Sequence, residues 1–263
     1  MKVALSNEGM IHMLIDKLAL LLPLLTVGLL QPAPAPAADG WRALFDGKQL
    51  GRWEVVKGFD FIHHGKVEVK DGTLVLGRGG PGTAVRFTGK FPKIDYEISL
   101  EAMRVEGEDF FCGMTFPVGD AALTLIVGGW RGPVVGLSCI DDEPAVENET
   151  CLFKDFKKKR WYHIRLRVAR ERIQAWIGKE KVVDLETEDR KFSIWFEPET
   201  ALPLAIATWD TTGALRNIRV RRIGEGTAEN KGKIQTESPV QPPKPPVPSP
   251  RKADNPPHHT TVR

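Results

Sequence analysis

Between Trp53 and Ile223 the sequence never sustains a helical period; apolar residues recur instead at every second position, in short runs broken by turn residues. In the clearest run, Tyr96, Ile98, Leu100 and Ala102 point one way and Asp95, Glu97, Ser99 and Glu101 the other. That period belongs to a strand with one wet face. Ile164, Leu166 and Val168 alternate with Arg165 and Arg167 in the same manner, while Phe110–Phe116 and Leu123–Val127 are more continuously apolar, as central strands are. Asp71-Gly72, between Lys66–Lys70 and Thr73–Leu76, is a two-residue hairpin signal, because glycine accepts a positive φ and Asp bonds nearby backbone. A second hairpin is expected around Gly178-Lys179-Glu180, and further strands at Val134–Ile140, Leu204–Trp209 and Leu215–Ile223. Many short strands with turn chemistry between them predict an all-β fold, a two-sheet β-sandwich or jelly roll.

The two ends differ from this body. Leu18–Leu30 is an apolar run preceded by Lys17 and followed by Ala35-Pro36-Ala37, the small-x-small pattern of a cleavage site. Residues 1–37 are therefore expected to be a signal peptide, giving a secreted, periplasmic or envelope protein with no membrane span after processing. At the other end, nine of the twenty prolines fall between Pro239 and Pro257, and large apolar residues nearly vanish. The segment 224–263 is expected to be a disordered, polyproline-leaning tail.

Charge narrows the partner classes. The formal net charge is +3 with both signs interspersed, which does not suggest a nucleic-acid binder. Lys157-Lys158-Lys159-Arg160 reads as a solvated loop before a strand. The three cysteines Cys112, Cys139 and Cys151 show no zinc spacing. Cys139 and Cys151 flank an acidic loop that a disulfide could staple, with Cys112 buried and reduced; three reduced thiols are the alternative.

Three places combine the side chains that handle sugars. In Gly128-Gly129-Trp130-Arg131-Gly132, glycines let the indole stand away from the backbone, where Trp130 could stack on a pyranose and Arg131 bond its hydroxyls. The acidic loop runs from Asp141-Asp142-Glu143 to Glu147-Asn148-Glu149; crowded carboxylates raise one another's pKa, as acid/base work requires, or bind Ca²⁺ through oxygen. Trp209 and Asp210 sit in a turn expected between the last two strands, and Asp109 precedes a buried strand. No cofactor is expected, with a divalent cation such as Ca²⁺ on the acidic loop as the alternative; His258 and His259 near the C-terminus read as incidental rather than as metal ligands.

Several segments, in order, resemble the 3-keto-disaccharide hydrolase domain family of secreted bacterial β-sandwiches. They are Leu44-Phe45-Asp46-Gly47-Lys48-Gln49-Leu50-Gly51-Arg52-Trp53, the strand Tyr96-Glu97-Ile98-Ser99-Leu100-Glu101, and the hairpin from Arg172 to Asp184. Arg160-Trp161-Tyr162-His163-Ile164 and the closing Leu215-Arg216-Asn217-Ile218-Arg219-Val220 continue the pattern. The resemblance implies a concanavalin A-like sandwich over residues 40–223, with first and last strands paired. It also implies a carbohydrate or oxidised-glycoside partner and cleavage of 3-keto-glycosides or 3-keto-disaccharides, in some members with a divalent metal. Asp109 and Glu147 are the candidate catalytic carboxylates, one of which would take the acidic proton beside the keto group. Trp130, Arg131, Asn148, Trp209 and Asp210 would hold the sugar. A non-catalytic carbohydrate-binding or laminin G-like module, or an envelope scaffold, is the alternative. The processed chain is expected to begin at Ala38, which N-terminal sequencing of the exported protein checks; Leu18–Leu30 retained in a membrane would make the segment an anchor.

Overall fold

The structure is a computed structural model, and it describes residues 40–194 and 201–224. The expected signal segment 1–37 and the Pro-rich tail beyond Gly224 lie outside the described residues. In chain order the strands are β1 (Arg42–Ala43), β2 (Trp53–Val55), β3 (Val67–Lys70), β4 (Thr73–Leu76), β5 (Gly82–Phe87), β6 (Tyr96–Gly107), β7 (Cys112–Val118) and β8 (Ala121–Gly129). They continue with β9 (Val134–Ser138), β10 (Leu152–Phe153), β11 (Trp161–Val168), β12 (Arg172–Ile177), β13 (Glu180–Glu186), β14 (Leu204–Trp209) and β15 (Thr211–Arg222). One antiparallel sheet has the order β13-β12-β11-β6-β15-β4-β3, with β1 also on β15; the other has β10-β9-β8-β7-β14-β5-β2. The protein is thus an all-β, concanavalin A-like jelly-roll sandwich. Among the described residues no helix is long and apolar enough to cross a membrane.

The alternation in β6 carries through to the core. Tyr96, Ile98, Leu100 and Ala102 are fully or almost fully buried between the sheets, beside Ile164, Leu166 and Val168 of β11. Met114, Phe116, Leu123, Leu125 and Ile206 close the layer from the other sheet. β6 pairs along its length with β15, from Tyr96 opposite Arg222 to Gly107 opposite Thr211. The last strand therefore sits beside the long early one, and β1 adds to its outer edge at Arg42–Val220.

The opening segment folds as its turn chemistry dictates. Asp46 Oδ1 accepts the N–H groups of Lys48 (2.8 Å) and Gln49 (3.1 Å), which pulls its carboxyl pKa down. Leu44 and Phe45 are buried, and the buried Trp53 indole donates to the Leu44 carbonyl (2.9 Å). At the first hairpin Asp71 and Gly72 both take positive φ (50° and 75°), the geometry that matches strand twist.

Two expectations shift. The second hairpin turns on Gly178 and Lys179, since Glu180 already pairs with Ile177. The stretch from Thr208 to Thr212 is a corner at the single residue Asp210 (φ 44°), and β15 starts four residues earlier than the apolar pattern shows, at Thr211. Thr211 and Thr212 are polar, so the pattern hid a segment that the β6 ladder holds.

All three cysteines are free thiols, which corrects the proposed Cys139–Cys151 bridge. Cys139 is tied into a backbone pair with Ser193, donating to its carbonyl (2.7 Å) and accepting its N–H (3.2 Å), whereas Cys151 packs on the outer side of the β9 sheet. Burial pushes the Cys112 thiol up to about 12; burial, then the nearby Asp142 charge, pushes Cys139 up to about 11. Thiolate is the reactive form. A colorimetric thiol titration of the native protein near pH 8 should therefore modify Cys151 alone, with Cys112 and Cys139 reacting only after denaturation.

Candidate functional site

Two chain crossings from one sheet to the other lie side by side, β6 to β7 at Glu108–Phe111 and β14 to β15 at Asp210. Thr211 stitches them, its hydroxyl accepting the Asp109 N–H (3.0 Å) and donating to the Asp109 carbonyl (3.0 Å). The Trp209 N–H donates to the Phe110 carbonyl (3.1 Å), and the two rings pack with centroids 6.0 Å apart. The β8–β9 hairpin joins the same end, because the Arg131 N–H donates to Asp109 Oδ2 (2.9 Å). Asp109, Trp130, Arg131, Trp209 and Asp210 are thereby gathered at one end of the sandwich.

Trp130 is the exposed apolar element there, with 39% of its surface accessible. It and Arg131 take left-handed φ of 50° and 66°. For residues with a side chain that conformation costs about 1–2 kcal/mol each. Two devices hold it. Asp109 takes the Arg131 N–H on one carboxylate oxygen and the Phe110 N–H (2.7 Å) on the other. Beneath the hairpin, Arg104 is 4% exposed and its Nη2 donates to the carbonyls of Gly128 (3.0 Å) and Gly132 (3.1 Å). Its guanidinium lies over the Phe111 ring at 5.2 Å, and its buried Nε has no hydrogen-bond partner among the described residues. Burial pulls its pKa down, with Glu108 and Asp109 opposing that shift.

Arg78, which the sequence reading passed over, completes the rim. Its Nε (2.6 Å) and Nη2 (2.5 Å) reach Asp210 Oδ1. A lone arginine between two glycines gives no periodic signal, so only the corner at Asp210 reveals it.

The acidic loop is arranged otherwise than expected. Asn148 is buried and faces inward, donating to the carbonyls of Leu137 (2.8 Å), Glu143 (3.1 Å) and Pro144 (3.0 Å) while accepting from the Thr150 N–H (3.0 Å) and hydroxyl (2.6 Å). Its amide is consumed in shaping the loop, so it is not a sugar contact. Asp141 accepts from Arg190 (2.5 Å), Glu149 also pairs with Arg190, and Asp142 pairs with Lys191 (3.1 Å). Side-chain cations, rather than neighbouring carboxylates alone, surround these groups. Among the described residues no three His, Cys, Asp or Glu side chains gather so as to hold a metal ion, the acidic loop included. Glu147 is exposed on this loop, and no hydrogen bond links its side chain to the Trp130 end.

The outer face of the β9 sheet is filled from its own loops. Phe110 lies on Gly113 and Phe61 on Gly82, so closely that a Cβ would meet each ring at 2.9 Å and 2.7 Å. Ala145 covers Gly136, and Ile194, Ala201 and Leu202 pack around Ala122 and Ala205. Between these covers Thr115 and Thr124 bond each other (2.8 Å). The exposed polar and aromatic groups thus lie on the rim of the sheet rather than on its middle.

Arg104→Met should cost about 2–4 kcal/mol in chemical denaturation, since hydrogen bonds to a charged group contribute about 1.5–3 kcal/mol each and the carbonyls are left buried. An unchanged midpoint would mean that the hairpin holds its shape without the guanidinium.

Three solved structures of similar form are a candidate glycosyl hydrolase from Parabacteroides distasonis (12% identity, 71% of this chain and 95% of that one, TM-score 0.46), the carbohydrate-binding module CBM66 from Bacillus subtilis (13%, 65% and 95%, TM-score 0.43) and the Crh5 transglycosylase in complex with NAG (12%, 70% and 84%, TM-score 0.49). No curated protein matches the chain. The 3-keto-alpha-glucoside-1,2-lyase-like domain matches residues 40–221. With the domain covering nearly the whole sandwich, the chain belongs to the 3-keto-alpha-glucoside-1,2-lyase-like family.

Proposed function

We propose that this protein is an exported, carbohydrate-active member of its family that binds a glycoside at the end of the sandwich where Trp130 stands. The observation that carries the reading is the preorganised indole. Trp130 is half-exposed on a left-handed backbone that Asp109 and Arg104 hold from two sides. A fixed flat apolar face loses little entropy on stacking against a sugar ring. Arg131, Trp209, Asp210 and Arg78 supply donors, acceptors and a second aromatic surface around it.

The family supports a 3-keto-glycoside as the substrate class. In such a sugar the C3 ketone acidifies the proton at C2. A base takes that proton, the electron pair forms the C1–C2 double bond, and the C1 substituent leaves with a proton supplied to its oxygen. Of the two carboxylates that the sequence singles out as catalytic, Glu147 keeps its side chain exposed on the acidic loop, and the proposal gives it the role of base. Asp109 spends both oxygens on backbone N–H groups, so its contribution is to hold Trp130 and Arg131 in place.

Trp130→Ala should abolish binding of a 3-keto-glucoside, read by calorimetry, and leave the melting temperature within about 2 °C. Glu147→Gln should keep that binding and stop turnover, followed as formation of the unsaturated keto sugar. Binding without turnover by the unaltered protein would favour a non-catalytic sugar-binding module. Neither binding nor turnover, with or without Ca²⁺, would favour an envelope scaffold.

A further inference from the structure

The outer face of the β6 sheet carries an arrangement that the loop-end site does not use. Five arginines, Arg165, Arg167, Arg216, Arg219 and Arg221, share it with two glutamates, Glu97 and Glu101. Arg221 donates to Glu97 through Nε (2.8 Å) and Nη2 (2.5 Å), and Arg216 to Glu101 through Nε (2.9 Å) and Nη2 (3.4 Å). Among the described residues Arg165, Arg167 and Arg219 have no carboxylate partner. The balancing acids Asp184 and Glu186 lie farther out on β13 and are taken by Arg172 and Lys181.

Two of the three, Arg165 and Arg219, are held by aromatic rings. Arg165 stacks over Trp176 at 4.0 Å and Arg219 over Trp41 at 4.8 Å, while Arg216 lies over Trp161 at 4.1 Å. Stacking occupies the flat face of a guanidinium and leaves its in-plane N–H fork available. The register places Arg165 and Arg219 on either side of the buried Ser99, whose hydroxyl meets His163 Nε2 at 2.9 Å. Their backbones are two strand spacings apart, about 10 Å.

We propose that this face binds a carboxylated polysaccharide, a chain of uronate units laid across β12, β11, β6 and β15, with Arg165, Arg167 and Arg219 taking successive carboxylates. The face already forms two guanidinium–carboxylate pairs within its own fabric, and three further guanidiniums, two of them stacked on rings, have no such pair among the described residues. A polymer with repeated carboxylates reaches all three, whereas a single uronate reaches one. This surface lies apart from the Trp130 end and shares with the proposed function only the premise that the protein meets glycans.

Affinity electrophoresis of the native, full-length protein through gels containing polygalacturonate tests the assignment. Retardation is expected at low salt, falling as salt is raised, with none in neutral dextran and far weaker competition by monomeric galacturonate than by the polymer. Arg165→Gln/Arg219→Gln should weaken the interaction at least about tenfold, and Trp130→Ala should leave it unchanged. If the double variant melts early, Arg167→Gln gives the same reading with a smaller loss, since its side chain is exposed and makes no pair. The proposal is overturned by no retardation, by equal retardation in dextran, or by an unaffected double variant that remains folded. Tighter binding of dextran sulfate or of oligothymidylate than of polygalacturonate would assign the face to sulfated glycans or to nucleic acid and overturn it also. Loss of retardation in Trp130→Ala would place the polymer at the loop end instead.

Discussion

The ladder between β6 and β15 is the constraint on which the rest of the molecule depends. Both strands are twelve residues long, and they pair almost from end to end. β6 leaves for the other sheet, and β15 arrives from it, at the same end, so one pairing sets the side-by-side position of two corners. The stabilisation comes from what the ladder buries. Fully buried apolar side chains such as Ile98, Leu100, Leu215 and Ile218 contribute about 1.5–3 kcal/mol each. Exposed pairs such as Lys93–Asp120 contribute about 0–1 kcal/mol. On the outer face of β6, the Arg221–Glu97 pair differs from these, because the Glu97 carboxylate is almost fully buried.

Legibility in the sequence followed physical range. Period-two patterning in β6 and β11 and the turn chemistry of Asp46-Gly47 and Asp71-Gly72 are local, and they were readable down to which side faces the core. The site was readable only in part. Trp130, Arg131, Asp109, Trp209 and Asp210 occupy loop and corner positions that composition singles out, and the fold brings them to one end. Asn148 and the acidic loop were misread because their partners are remote. The loop's cations, Arg190 and Lys191, come 41 to 50 residues after the carboxylates they meet, and Asn148 turns inward to backbone carbonyls that no side-chain pattern encodes. Arg104 is the sharpest case. It stands in an alternating strand as one more polar residue, yet it is buried under a hairpin whose carbonyls are more than twenty residues away in sequence.

The two faces of the sandwich divide the work differently. On the β9 sheet, small residues such as Gly113, Gly82, Ala84 and Ala207 leave room that Phe61 and Phe110 fill, so the face is sealed by the protein's own loops. On the β6 sheet, long side chains stand on the surface and stack on one another. A sealed face directs small ligands to the rim, where strained backbone holds an indole outward. A ladder of stacked cations suits an extended partner.

The placement of β15 also has a consequence in time. The central partner of β6 is the last strand to be made, more than a hundred residues after it. As the chain emerges from its N-terminus, the apolar side of β6 has β11 available but lacks its other neighbour until residue 222 has appeared. Contacts of such long sequence separation slow folding, because the loop entropy must be lost before the contact is gained. The sandwich is therefore completed only once β15 has been made, and until then its nascent chain stays open and accessible to whatever escorts it.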